Sequence, residues 1–202
     1  MIWSLLIGYV IGSIPTAEAV GTLHGIDLRS QGTGNPGTAN ALRVGGPRVA
    51  VAVLALDLLK GAAAAAIGRS LAGDAAGVAA GVTAIYGQVA NPWHRFKGGK
   101  GLGVTGGAAL VLWPLGAVAV LPIIALGAKL VGSAAGALTG IATLLGLSVA
   151  WAANGWPTAW GIVADDTLVW FTIGVAVLTT PKFAATLTER FRPRGRGSAS
   201  GR

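Results

Sequence analysis

Two short stretches of this 202-residue chain hold most of the residues that could do chemistry: "DLRSQGTGNPGTANALR" at 27–43 and "NPWHRFKGGKGLG" at 91–103. Successive backbone N–H groups freed by glycine, close to a helix start and beside fixed cations, form a cradle for an anion such as phosphate. Arginine adds a bidentate fork and lysine a compact point charge, so Arg43, Lys97 and Lys100 are the natural partners of that anion. The pattern G-x-G-x-x-G occurs at Gly32, Gly34, Gly37 and again at Gly101, Gly103, Gly106. With one residue in six a glycine, roughly one such match is expected by chance, and neither follows a strand. Lys100 is followed by Gly101 rather than Ser or Thr. A dinucleotide fold and a P-loop are both excluded on these grounds. The plainer reading of both stretches is a pair of turns carrying positive-inside charge.

A second constellation, Asp57 and Lys60, stands three residues apart on one helix face inside an apolar run. Charges in lipid cost several kcal/mol unless paired, and mark functional positions or ion pairs that hold a loop. Glu18 has no partner in its neighbourhood of sequence and belongs either to the bundle interior or to the surface. The chain has no Cys and two His. That removes disulfides, thiolate ligands and a cysteine nucleophile, and leaves no metal site and no cofactor to expect.

The elements that must position these residues are membrane helices. The chain is 53% hydrophobic and 11% charged, with mean hydropathy +0.68. Apolar runs of about 20 residues each suffice to cross a hydrocarbon core roughly 30 Å thick. No alternating segments suggest a β-barrel. Ala17-Glu18-Ala19 resembles a signal-peptide cleavage site, but no Lys or Arg precedes the apolar run, which reads as a retained span. Spans are expected at 2–22, 49–68, 75–91, 132–152 and 167–180. Residues 102–128, interrupted also by Pro122, are expected to form two short helices turning near Trp113-Pro114, which returns the basic tail inside; the alternative is one kinked span, six in all, with the tail on the other side.

Arg29, Arg43 and Arg48 follow the first span, Arg95, Lys97 and Lys100 the third, and a basic tail the last, so these regions are expected inside. "WAANGWPTAWGIVADD" has no Lys or Arg, carries Trp151, Trp156 and Trp160 like an interfacial belt, and is expected outside. The expectation is an all-α polytopic membrane protein, a compact bundle of about seven transmembrane helices, with the N-terminus outside and the C-terminus cytoplasmic. Residues 1–181 form one transmembrane domain. Residues 182–202 form a basic, disordered cytoplasmic tail that attracts anionic lipid. Glycines at small-xxx-small spacing, such as Gly73, Gly77 and Gly81, let helices approach closely. The net charge of +8 follows from the positive-inside rule, so no nucleic-acid partner is expected.

"GSIPTA" at 12–17, "GTGNPGTANALR" at 32–43, "LDLLKGA" at 56–62 and "FKGGKG" at 96–101, in this order and roughly this spacing, resemble the bacterial PlsY family of acyl-phosphate:glycerol-3-phosphate acyltransferases. The likeness covers about the first half of the chain. It implies a seven-helix bundle of the bacterial plasma (inner) membrane whose site faces the cytoplasm. The implied reaction carries an acyl chain from acyl phosphate to the 1-hydroxyl of glycerol 3-phosphate, giving lysophosphatidic acid for phospholipid biosynthesis. The implied partners are these two substrates, membrane lipids and an enzyme that produces acyl phosphate.

Carried over by position, Thr33, Gly34, Asn35, Gly37, Asn40 and Arg43 form the first phosphate loop, and Lys97, Gly98, Gly99, Lys100 and Gly101 the second. Ser13 and Thr16 lie nearby, Asp57 and Lys60 support the site, and Thr33, Arg43 and Lys100 carry the catalysis. The chain departs from the family pattern as well. Thr33 replaces a serine, and Gly87-Gln88-Val89-Ala90-Asn91 stands where the family reads G-H-x-F-P, so the family histidine is absent and His94, six residues later, is placed at the interface. "AKLVGS" replaces T-R-x-x-S and "TTPKF" replaces H-R-E-N-I. Two other readings therefore stand beside the acyltransferase: a divergent paralogue that binds phosphorylated lipid or substrate, and a small-solute transporter.

Overall fold

The computed structural model describes residues 1–191, and every regular element among them is helical. The order is α1 (Ile2–Gly12), α2 (Thr16–Leu23), α3 (Thr38–Val89), a 3-10 turn (Pro92–His94), α4 (Leu102–Leu112), α5 (Pro114–Leu130), α6 (Ser133–Asn154) and α7 (Asp166–Phe191). Among the described residues four stretches, Ile2–Leu23, Thr38–His94, Ser133–Asn154 and Asp166–Thr188, are long and apolar enough to cross a membrane. Large apolar side chains such as Leu59, Leu121 and Val177 point outward, as they do where lipid is the solvent. This is an all-helical membrane protein.

The first expected span is broken. Pro15 lacks an N–H and disfavours helix at the residue before it, so α1 ends at Gly12 and α2 restarts at Thr16. The break releases the carbonyls of Ser13 and Ile14 from helical pairing. Both find side-chain donors elsewhere, as described below.

The expected second and third spans are the arms of α3, which turns back on itself where Ala72 and Gly73 leave helical geometry. Small residues allow the arms to touch: a Cβ on Gly68 would stand 2.5 Å from the Ala76 carbonyl, and one on Gly77 3.2 Å from that of Ala65. The helix also begins earlier than expected, at Thr38, with a separate kink at Gly46 before Pro47. Residues 38–45, read as loop from their polarity, are its first turns.

Residues 102–128 do form two helices that meet at Trp113-Pro114, and α5 runs through Pro122 without interruption. At 11 residues α4 is about 16 Å long, short for a bilayer. It is sheltered by α3, where Gly107 lies so close to Leu58 that a Cβ would stand 1.9 Å from its carbonyl. The α7 helix extends through Phe191, so the tail expected to be disordered from residue 182 begins within a helix. Pro181 does not end it, and Thr186 bonds back to the Lys182 carbonyl at 3.1 Å. The rest of the expected tail, 192–202, lies outside the described residues.

Candidate active site

The loop 24–37 is organised by one buried side chain. Asn40, 2% exposed, accepts the Thr33 N–H at 2.7 Å and donates to the carbonyls of Leu28 at 2.9 Å and Gln31 at 3.0 Å. Gly32 has φ +63°, and a Cβ there would stand 2.2 Å from the Asn40 oxygen, so both conformation and space require glycine. Upstream, the Asp27 carboxylate accepts the Arg29 N–H at 2.9 Å. Bonds from Ser30 and then Arg29 hold that carboxyl below its ordinary range. Asn35 follows Gly34, and Gly37 opens α3 with no side chain capping the helix start. The first N–H groups of α3 are left open there.

The loop 91–101 is built around Asn91. Its side chain accepts the Trp93 N–H at 3.1 Å and donates to the freed Ser13 carbonyl at 2.9 Å. Its own carbonyl accepts the N–H groups of His94 and Phe96 at 3.2 and 2.8 Å. These bonds hold Arg95 and Phe96 at φ +53° and +61°, a conformation that non-glycine residues rarely adopt. Gly98 then packs so closely that a Cβ would stand 1.9 Å from the Gln88 carbonyl.

The two loops meet. A Cβ on Gly99 would stand 3.0 Å from the Pro36 carbonyl, and Arg29 donates to the Lys97 carbonyl at 2.9 Å. The same guanidinium pairs with Glu18 at 2.5 Å, and His94 Nε2 lies 3.1 Å from that carboxylate. Glu18 thus has the partners that sequence proximity could not supply, and His94 faces Glu18.

Beneath the loops lies a buried cation. Lys60 Nζ sits 2.6 Å from Gln88 Oε1, 2.9 Å from Asp57 Oδ1, 3.0 Å from Thr16 Oγ1 and 3.1 Å from the freed Ile14 carbonyl. Thr16 also donates to Asp57 at 2.8 Å. With Lys60 and Asp57 both about 5% exposed or less, this mutual satisfaction is what makes the charges tolerable.

The residues singled out in sequence therefore divide. Ser13, Thr16, Asn40, Asp57 and Lys60 spend their polar atoms on the protein itself, and Ser13 Oγ bonds back to Tyr9 at 2.7 Å. Thr33, Gly34, Asn35, Gly37 and Gly98 to Gly101 shape the adjoining loops. Among the described residues, the side chains of Arg43 and Lys97 make no hydrogen bond or ion pair, and both are exposed. Lys100 donates to Thr186 at 2.7 Å and lies 5.0 Å above the Phe183 ring. Sequence reasoning did not identify Arg29, Gln88 or Asn91 as site residues. The available signal was polarity within or at the end of apolar runs.

The chain matches the family model described as "Glycerol-3-phosphate acyltransferase" over residues 2–190. It is 41% identical over 138 residues to a glycerol-3-phosphate acyltransferase of Symbiobacterium thermophilum, covering 68% of this chain and 63% of the relative. It is 44% identical over 112 residues to one of Exiguobacterium sibiricum, covering 55% and 54%. These matched stretches span less than two thirds of the relatives' length. The fold resembles the crystal structure of PlsY (YgiH), an integral membrane glycerol 3-phosphate acyltransferase in its glycerol 3-phosphate form, with TM-score 0.79 and 22% identity over 94% of this chain and 90% of that one. A second structure of that protein, in its lysophosphatidic acid form, matches with the same TM-score of 0.79 at 21% identity, again over 94% and 90%.

Proposed function

We propose that this chain, which belongs to the glycerol-3-phosphate acyltransferase family, transfers an acyl group from acyl phosphate to the 1-hydroxyl of glycerol 3-phosphate. The observation that carries the reading is the junction of the two glycine loops at Gly99 and Pro36, with the uncommitted cations Arg43 on the first turns of α3 and Lys97 on the second loop. Both substrates are phosphorylated, and such a junction offers donors and positive charge to two anions.

In this reaction the hydroxyl oxygen attacks the acyl carbon, the bond from that carbon to the phosphate oxygen breaks, and inorganic phosphate leaves. The hydroxyl proton passes to a phosphate oxygen. No protein nucleophile is required, because the acyl phosphate is already activated. Arg43, Lys100 and the Thr33 hydroxyl stabilise negative charge on the carbonyl and the leaving phosphate, and they hold the reacting groups in line. Asn35, Gly37, Lys97 and Gly98 to Gly101 bind phosphate, while Asn40, Ser13, Thr16, Asp57 and Lys60 keep the loops in place.

The same proposal sets the topology. The chain crosses the bacterial plasma membrane seven times, with α1, the two arms of α3, α4, α5, α6 and α7 as the passes. The N-terminus lies outside, and the C-terminus and the site are cytoplasmic. Support comes from the contacts: Gly8 and Gly12 of α1 pack against Ala80 and Ala84, so α1 runs parallel to the second arm of α3. The lysophosphatidic acid product enters the membrane lipid, and acyl phosphate arrives from an enzyme that makes it. Purified protein given palmitoyl phosphate and labelled glycerol 3-phosphate, without coenzyme A or acyl carrier protein, should form labelled lysophosphatidic acid. Binding of glycerol 3-phosphate without that product would instead favour a ligand-binding paralogue.

A further inference from the structure

Gln88 lies on the last turn of α3 and is 6% exposed. Its oxygen faces the Lys60 ammonium at 2.6 Å. The reverse orientation would set amide N–H against a cation, so the amide is fixed with oxygen inward and Nε2 outward. What Nε2 faces is the seam between the loops: a Cβ on Gly99 would stand 2.9 Å from it and 3.0 Å from the Pro36 carbonyl. Among the described residues Nε2 donates to no acceptor, although the rest of the side chain is bonded and enclosed. Lys60 also withdraws charge through the amide, which makes its N–H groups stronger donors.

We infer that Gln88 binds substrate directly, its Nε2 donating to a phosphate oxygen held between the two loops while its oxygen anchors it to Lys60. This rests on the two-phosphate reading above. The chemistry of a phosphate oxygen is common to acyl phosphate and glycerol 3-phosphate, and the kinetics separate them.

Three variants isolate the donor. Gln88→Glu keeps an oxygen for Lys60 and removes both N–H groups, Gln88→Met removes donor and acceptor, and Gln88→His restores a ring N–H. With each substrate varied in turn, Gln88→Glu and Gln88→Met should raise one KM by roughly ten- to a hundredfold, as loss of a hydrogen bond to a charged group does, with the other KM near the parent's. Gln88→His should recover most of that loss. The KM that moves identifies whose phosphate Gln88 touches. Gln88→Glu sets a second carboxylate against Lys60 beside Asp57 and should lower thermal stability in detergent, so the comparison rests on KM, which does not depend on the fraction of protein that stays folded. Unmoved KM values in Gln88→Glu, or equal loss in the Gln88→His and Gln88→Met variants, would overturn the inference. If Lys100→Ala abolishes transfer while Gln88→Glu keeps the parent's KM values, only the role of Gln88 fails. A parent protein that forms no lysophosphatidic acid would sink the proposed function itself.

Discussion

Two ends of the molecule carry charge, and they use it differently. Near the turn of α3, Arg69 is wholly spent: it pairs with Asp74 at 2.8 Å and donates to the carbonyls of Trp160 at 3.0 Å and Gly161 at 2.8 Å. Asp74 in turn accepts the Val163 N–H at 3.2 Å. Two tryptophans of that end are likewise committed, with Trp151 donating to Pro157 at 3.0 Å and Trp160 to Leu110 at 3.1 Å. At the other end the buried Lys60 is equally spent, yet Arg43 and Lys97 above it are not. Charge of either kind looks alike in sequence. Whether it belongs to scaffold or to ligand depends on what the fold lets it reach.

The sharpest way to break this contrast is to remove the committed cation beneath the loops. Lys60→Met leaves Asp57 buried and unpaired and should cost about 3–5 kcal/mol, read as a fall in thermal or denaturant stability in detergent. Stability equal to the parent's would mean that the cluster is not what supports the site. Removing the cations above it should do the opposite. Arg43→Ala and Lys97→Ala should each lower kcat/KM about a hundredfold with little change in unfolding. At the far end Arg69→Ala should lower stability by about 1–2 kcal/mol, a modest loss because the pair is a third exposed, and leave turnover per folded molecule intact. Turnover loss there comparable to that of Arg43→Ala would erase the distinction.

The smallest effect concerns the loop before Thr33. Because bonds from the Ser30 side chain and then the Arg29 N–H hold the Asp27 carboxyl below the ordinary range, its contribution is present above the unfolded pKa and lost as pH falls through the folded one. Hydrogen exchange at the Arg29 and Ser30 amides should therefore quicken in acid beyond its intrinsic dependence, and Asp27→Asn should flatten that response.

Much of this was legible before any coordinates. The glycine loops, the buried Asp57–Lys60 pair and the turn at Trp113-Pro114 all stand out in the sequence, because local charge, spacing and Pro chemistry determine them. What stayed hidden depends on contacts far apart in the chain. The break at Pro15 matters because it hands the Ile14 carbonyl to Lys60 and the Ser13 carbonyl to Asn91. The family resemblance places Asn40 among the phosphate ligands by its position, whereas the fold closes all three of its bonds around Leu28, Gln31 and Thr33. Likewise Glu18 lacked a partner until the loops brought Arg29 and His94 to it.

The central claim is that the uncommitted cations at one end serve acyl transfer from acyl phosphate. Release of inorganic phosphate from palmitoyl phosphate, measured with and without glycerol 3-phosphate for the parent, Arg43→Ala and Arg69→Ala, tests it most directly. The expected result is glycerol 3-phosphate-dependent release that Arg43→Ala loses and Arg69→Ala keeps. Release independent of glycerol 3-phosphate, or no release from the folded parent, would contradict it.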